Sequence, residues 1–110
     1  MTSDESRFHA IADATLMHFF DQLEDAFDNG AFEELELNGG VLTIETANKK
    51  SFIISKHSPS QQLWLASPIS GGLHFSHHPT EATWVLPDGR DLKTILAKEL
   101  AQAGQCKIIL

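Results

Sequence analysis

The sequence predicts an α+β fold, with two helices packed on one face of a twisted antiparallel sheet of about six strands. Three observations carry this. Apolar residues recur with helical spacing near both ends of the chain, from Phe8 to Phe27 and from Leu92 to Ala103. Between them lie short β-branched or alternating segments, from Glu34 to Leu86. Those segments are separated by tight turn residues, which suit hairpins and leave no room for crossover helices. The predicted order is α-β-β-β-β-β-β-α, as a single domain over residues 1–110.

The first helix has a start, a face and a stop. Thr2 followed three residues later by Glu5 can form a capping box. Phe8, Ala12, Leu16, Phe19, Leu23, Ala26 and Phe27 fall within about 100° on a helical wheel. Asn29-Gly30 supplies the stop. Leu35 and Leu37 then alternate with Glu34 and Glu36 in a first strand. Asn38-Gly39-Gly40 is a hairpin signal, because these residues accept positive φ at little cost. Val41–Thr46, Ser51–Lys56 and Gln62–Ser67 read as the next three strands, with a loop at His57 to Ser60. Leu73–Ser76 and Glu81–Leu86 complete the set, and Pro87-Asp88-Gly89 ends it. Asp91 caps a second helix whose Leu92, Ile95, Leu96, Leu100 and Ala103 share one face. Gly104 ends that helix. The tail from Lys107 to Leu110 is apolar enough to be packed.

Composition narrows the function. A chain of 110 residues with 42% hydrophobic residues suits a globular core. No apolar run approaches the roughly 18 residues of a transmembrane helix, so no membrane partner is expected. The acidic N-terminus resembles neither a secretory signal nor a transit peptide, so the chain is expected to start in the cytoplasm or to be already mature, and a cytoplasmic location is expected. The lone cysteine, Cys106, excludes an intrachain disulfide and an all-thiolate zinc site, and lacks an evident activating pair. The net charge of -7 is polarised. Ten acidic residues lie between Met1 and Glu36, opposed by Arg7 alone, while the remainder is slightly basic. That balance excludes nucleic acid and points to cations or a basic protein surface.

Two features carry candidate chemistry. Asp13, Met17, Asp21, Glu24 and Asp28 cluster opposite the apolar face of the first helix, with Asp25 beside them. Like charges three or four residues apart cost roughly 0.2–0.5 kcal/mol per pair. Most of these carboxylates also lie near the helix C-terminus, where the macrodipole disfavours them. Local physics does not select this arrangement. Either a cation offsets it, since hard cations prefer oxygen ligands, or it is a solvated face that keeps the protein soluble. The second feature is Gln62-Leu63-Trp64-Leu65-Ala66. Alternation puts the leucines on one face and Gln62 and Trp64 on the other. If the leucines meet the helices, Trp64 lies on the uncovered face, as an interaction anchor or covered by its cross-strand neighbours. His9 sits at the flank of the apolar face. His74, His77 and His78 crowd one strand and its turn, but adjacent His77-His78 point to opposite faces and make a poor chelate. No Ser-His-Asp order, P-loop or Gly-rich dinucleotide loop is present, so no dedicated enzyme is expected.

The ordered motifs resemble those of the frataxin family. Asn38-Gly39-Gly40-Val41-Leu42-Thr43-Ile44 is similar to the family's first hairpin. Gln62 to Pro68, then Ser70 to Phe75, resemble its tryptophan strand and following hairpin. Trp84, Asp88-Gly89 and the helix from Leu92 resemble its closing elements, and Phe8-His9 with the later carboxylates its acidic helix. The length and the lack of a targeting segment match the bacterial branch. The resemblance implies a frataxin-like α-β sandwich that binds iron (Fe2+ or Fe3+) weakly, with other divalent cations as mimics. It implies metal at Asp21 and Glu24 foremost, then Asp25 and Asp28, with Asp13, Glu33 and Glu34 along the same ridge and His9 as a further ligand. Phe20 departs from the pattern, standing where bacterial relatives often carry an acid. The implied partners are a cysteine desulfurase, met by Asp21, Glu24 and Asp25, and an iron–sulfur scaffold protein, met by Gln62 and Trp64. The implied state is a monomer that oligomerises with excess iron. Ferroxidase activity has been attributed to some members, but nothing in this sequence resembles an enclosed ferroxidase centre. Two alternatives stand beside this: a purely protein-binding regulator of the desulfurase with incidental metal binding, and a metalloenzyme using His74, His77 and His78.

Overall fold

The computed structural model describes residues 4–78 and 83–104. Thr2, Glu81, Cys106 and the tail from Lys107 to Leu110 therefore lie outside the described residues, as does the capping box that needs Thr2. Helix α1 (Asp4–Asp28) leads into β1 (Phe32–Asn38), β2 (Val41–Thr46) and β3 (Ser51–His57). A short 3-10 turn (Ser58–Ser60) precedes β4 (Gln62–Ser67), β5 (Gly71–His78) and β6 (Thr83–Val85), and α2 (Leu92–Gly104) follows. The six strands form one sheet in sequence order, each antiparallel to the next. The expected element order and fold class are those observed.

The two-residue period of the strands sorts their side chains. Leu42, Ile44, Phe52, Ile54, Leu63, Leu65 and Phe75 are fully buried on one face. Phe8, Ala12, Leu16, Phe19 and Leu23 of α1 and Leu92, Ile95, Leu96 and Leu100 of α2 join them in one core. Each large apolar side chain removed from water in this way contributes about 1.5–3 kcal/mol. Trp84 is also buried there, and its indole N–H donates to Thr15 Oγ1 on α1 at 2.9 Å. Among the described residues, no helix covers the opposite face.

Helix ends follow local chemistry. Gly30 adopts φ +85°, and the amides of Gly30 and Ala31 donate to the carbonyls of Phe27 and Ala26 at 3.0 and 2.9 Å. This is the paired bonding of a Schellman stop. Phe27 lies at the margin of the predicted stripe in that last turn and is 37% exposed, so the apolar face effectively ends at Ala26. Asp91 caps α2 by accepting from the Thr94 amide at 3.1 Å.

Strand limits differ where the sequence carries no alternation. β5 extends beyond Leu73–Ser76 at both ends. Gly71 and Gly72 are held opposite Ser67 and Ala66 of β4, and His77 and His78 opposite Trp84 and Thr83 of β6. β1 begins at Phe32, which is buried, with a register shift between Phe32 and Glu34. β6 is described only over Thr83–Val85.

Candidate functional site

The polar side of α1 divides in two. In its second half, Asp21, Glu24, Asp25 and Asp28 are all exposed. None of them has an ion-pair partner among the described residues. Helical spacing stacks Asp21 under Glu24 and Asp25, and Glu24 under Asp28, with Cβ atoms about 5–6 Å apart. The helix has no basic residue in its last turn to offset them. Met17, one turn before Asp21, is 50% exposed on this side. Phe20 is partly buried against the core, which explains an apolar residue at that position.

The donors suit a hard cation in type, since carboxylate oxygens favour such ions. They do not form a cage. Among the described residues, no group of three or more His, Cys, Asp or Glu side chains converges closely enough to hold a metal ion. An ion on this face would keep much of its water and exchange readily.

The first half of α1 is arranged differently. Lys56 of β3 lies on the helix side of the sheet, with its side chain only 18% exposed. Its ammonium stands 2.8 Å from Asp13 Oδ1 and 3.1 Å from His9 Nδ1. The other ring nitrogen of His9, Nε2, lies 3.0 Å from Ser58 Oγ and 3.8 Å from Glu5 Oε1. Both nitrogens of His9 are therefore engaged. An ammonium has donors only, so Nδ1 accepts and Nε2 carries the proton given to Ser58.

At the first-strand edge, Glu33 accepts from the Lys49 ammonium at 2.6 Å. That hydrogen bond holds the Glu33 carboxyl below its ordinary range and raises Lys49 above its own. Glu34 is exposed and lies opposite Glu45 of β2. Asp13 and Glu33 are thus neutralised locally, whereas Asp21, Glu24, Asp25 and Asp28 are not.

The uncovered sheet face carries the second candidate surface. Leu63 and Leu65 point into the core, and Trp64 projects from the other side. Its indole is sandwiched between His57 and His74, with ring centroids 3.7 and 4.0 Å away and planes tilted by 14° and 11°. Its N–H donates to Gln62 Oε1 at 3.0 Å, and Gln62 Nε2 donates to Ser76 at 3.2 Å. His57 is fixed in turn by Ser60 at 2.6 Å. The indole is thereby pre-set and only half-buried. Ile53, on the same face, is 39% exposed.

Two participants, His57 and Lys56, were not singled out from the sequence. His57 joins His74 in flanking Trp64 because β4 registers Trp64 opposite His74 and Gln62 opposite His57. Lys56 reaches α1 because it shares the inward parity of Phe52 and Ile54. The cluster His74, His77 and His78 is dispersed. His74 stacks on Trp64, whereas His77 turns to the other face against Trp84 at 5.2 Å. His74 and His78 lie four residues apart along one strand, about 13 Å. No helix among the described residues is long and apolar enough to cross a membrane.

A sheet meander backed by two helices, with a carboxylate-rich first helix and a tryptophan on the open face, has counterparts among known proteins. The family model of the frataxin-like domain matches residues 1–106. The frataxin-like protein of Leishmania donovani mitochondria is 39% identical over 103 residues, covering 87% of this chain and 54% of that protein. The iron-sulfur cluster assembly protein CyaY of Pseudomonas syringae pv. tomato is 37% identical over 107 residues, covering 94% of this chain and 93% of that one. Trimeric yeast frataxin from Saccharomyces cerevisiae, solved complexed with ferrous iron, superposes with a TM-score of 0.75 at 31% identity. That match covers 96% of this chain and 89% of the yeast chain. The chain belongs to the frataxin-like family. It spans about half the length of the mitochondrial relative and nearly all of the bacterial one.

Proposed function

We propose that this protein is an iron-binding accessory of iron–sulfur cluster assembly. It takes up Fe2+ or Fe3+ loosely on the second half of α1, and acts as iron donor or sensor and as regulator of a cysteine desulfurase–scaffold complex. The observation that carries the reading is the row Asp21, Glu24, Asp25 and Asp28, exposed and without basic partners among the described residues, at the wrong end of the helix dipole. An arrangement disfavoured by its own helix is accounted for if cations or a basic surface meet it. The assembly name of the bacterial relative and the ferrous complex of the yeast relative support the same reading.

The roles divide by surface. The carboxylate row supplies oxygen ligands and long-range attraction to lysines and arginines of the desulfurase. Trp64 and Gln62 supply a pre-oriented anchor for the scaffold, since large aromatics held in place before contact lose little entropy on docking. Ions held without a cage exchange quickly, which suits delivery better than storage. The reading places the chain and its partners in the bacterial cytoplasm, as one domain working as a monomer that assembles further only with excess iron.

The test is cluster assembly by purified desulfurase and scaffold, with this protein added in the presence and absence of iron. The reading expects a changed assembly rate that Asp21→Lys with Glu24→Lys abolishes. An unchanged rate, with no association detected, overturns it. The lack of a converging ligand group among the described residues favours a second reading, a protein-binding regulator whose metal binding is incidental. A desulfurase complex that is salt-sensitive and forms equally well with iron chelated selects that alternative.

A further inference from the structure

The open face of the sheet is free of fixed charge where it carries Trp64. Its outward positions are the odd-numbered residues of β3 from Ser51 to His57, and the even-numbered residues of β4 from Gln62 to Ala66 and of β5 from Gly72 to His78. None of them is Asp, Glu, Lys or Arg, in a chain whose net charge is -7. The titratable side chains of this patch are His57, His74 and His78. On the strands to either side, β6 sets Thr83 and Val85 opposite His78 and Ser76, and β2 contributes Glu45. Glu45 accepts from Ser51 Oγ at 3.3 Å, so it stands at the far end of β3 from His57, about 20 Å along the strand. From the 3-10 turn, Ser60 meets His57. Among the described residues of these strands and of the turn, no carboxylate faces either imidazole.

Charge depletion around an aromatic centre is the composition of an interface core. Ile53, 39% exposed, pairs with Ala66 next to Trp64 and extends the apolar area. A surface of this kind fits a partner that is likewise uncharged at its centre. The stack adds a condition. His57 and His74 lie flat on the two faces of the indole, at 3.7 and 4.0 Å. A partner therefore meets the edge of three layered rings, and covering Trp64 covers both imidazoles. A neutral imidazole is desolvated at modest cost. An imidazolium is not, because it gives up its hydration without an opposing charge to replace it.

We propose that this patch docks an uncharged, apolar-centred partner surface only while His57 and His74 are neutral, so that acidification releases the partner. The proposal rests on the reading that Trp64 and Gln62 meet the scaffold, and it adds the chemistry of the surface that they meet. Histidine changes charge between about pH 5 and 8, so the release falls within the range of ordinary cellular acidification. The sign follows from linkage. Docking expels protons from the two imidazoles, so affinity is highest where both are neutral and falls as pH drops through their titration.

The test measures the dissociation constant of the full chain with purified scaffold protein at about pH 8, 7, 6 and 5.5, at fixed ionic strength and with metal chelated. Wild type is compared with the double variant His57→Gln, His74→Gln, whose side chains stay neutral throughout. Titrating groups on the scaffold act on both proteins alike, so the comparison is of slopes. The wild-type complex should weaken by roughly tenfold or more from pH 8 to 5.5 relative to the double variant, since one proton expelled on docking is worth up to tenfold per pH unit. Single His57→Gln and His74→Gln variants keep the comparison if the double variant fails to fold, each losing part of the slope. Equal slopes in wild type and every folded variant overturn the proposal. So does a wild-type affinity that rises in acid relative to the variants, because the partner would then be acidic. Absence of association at every pH overturns the docking reading itself, an outcome separate from equal slopes in complexes that do form.

Discussion

The two halves of the polar face of α1 hold the same kind of residue and use it in opposite ways. In the first, Asp13 and His9 are tied to a half-buried lysine from β3, and His9 also to Ser58. In the second, Asp21, Glu24, Asp25 and Asp28 face water with no ion-pair partner among the described residues. The difference lies in what the sheet offers beneath each half. The first half runs beside the end of β3, where an inward-facing lysine can reach it. The second half overhangs β1, whose own charges are Glu33, Glu34 and Glu36. Acidic residues alone therefore do not make an unpaired carboxylate row; it takes acidic residues that the fold has left without ion-pair partners among the described residues.

β4 sets the scale for breaking this comparison, because its two faces separate stability from docking. Leu63→Ala or Leu65→Ala should cost about 2–5 kcal/mol, read as a drop in denaturant midpoint, with little direct effect on partner binding. Trp64→Ala should cost less, about 1–3 kcal/mol, since two stacked ring contacts and partial burial are lost rather than a core position. It should weaken association with the scaffold in a pull-down. A larger stability loss for Trp64→Ala than for either leucine variant would reverse the assigned faces.

A smaller effect sharpens the first half of α1. Lys56→Met removes hydrogen bonds to Asp13 and His9 while keeping an apolar stem. The expected loss is about 0.5–1.5 kcal/mol, discounted because Asp13 is itself more than half exposed. A loss above that range would show a structural weight that the geometry does not indicate.

The smallest effect has the opposite sign. Asp21→Lys with Glu24→Lys removes like-charge neighbours and places cations near the helix C-terminus. The thermal midpoint should hold or rise, by about 0.3–1 kcal/mol of added stability at low salt, and the gain should shrink as salt is added. A clear fall in midpoint would mean that these carboxylates have structural partners.

Much of this was legible in the residues, and the rest was illegible for reasons that can be named. Leu63 and Leu65 could be placed on one face, opposite Gln62 and Trp64, because strand alternation is strict, whereas which face meets the helices was left conditional. The Asn29-Gly30 stop and the Asp91 cap could be read because each acts within a few residues. The ends of β5 could not, since Gly71, Gly72, His77 and His78 lack alternation and are placed only by their ladders with β4 and β6. The acidic row was legible as a pattern. Its division was not, because Lys56 lies 47 residues from His9 in sequence and meets it only once the sheet is in register. The stack on Trp64 was hidden in the same way, requiring the pairing of β4 with both neighbours. Local chemistry is visible along the chain, whereas a partner contributed by another strand is visible only after folding.

The most direct test of the division compares two double neutralisations that remove the same charge. Asp21→Asn with Glu24→Gln acts on the second half, and Glu5→Gln with Asp13→Asn on the first. Each protein is titrated with Fe(II) under argon in a calorimeter, at fixed ionic strength. The account predicts that the first pair weakens Fe(II) binding by roughly tenfold or more, and that the second leaves it within about twofold of wild type. Equal losses from both pairs would contradict it, because net charge rather than the unpaired row would then govern where iron binds.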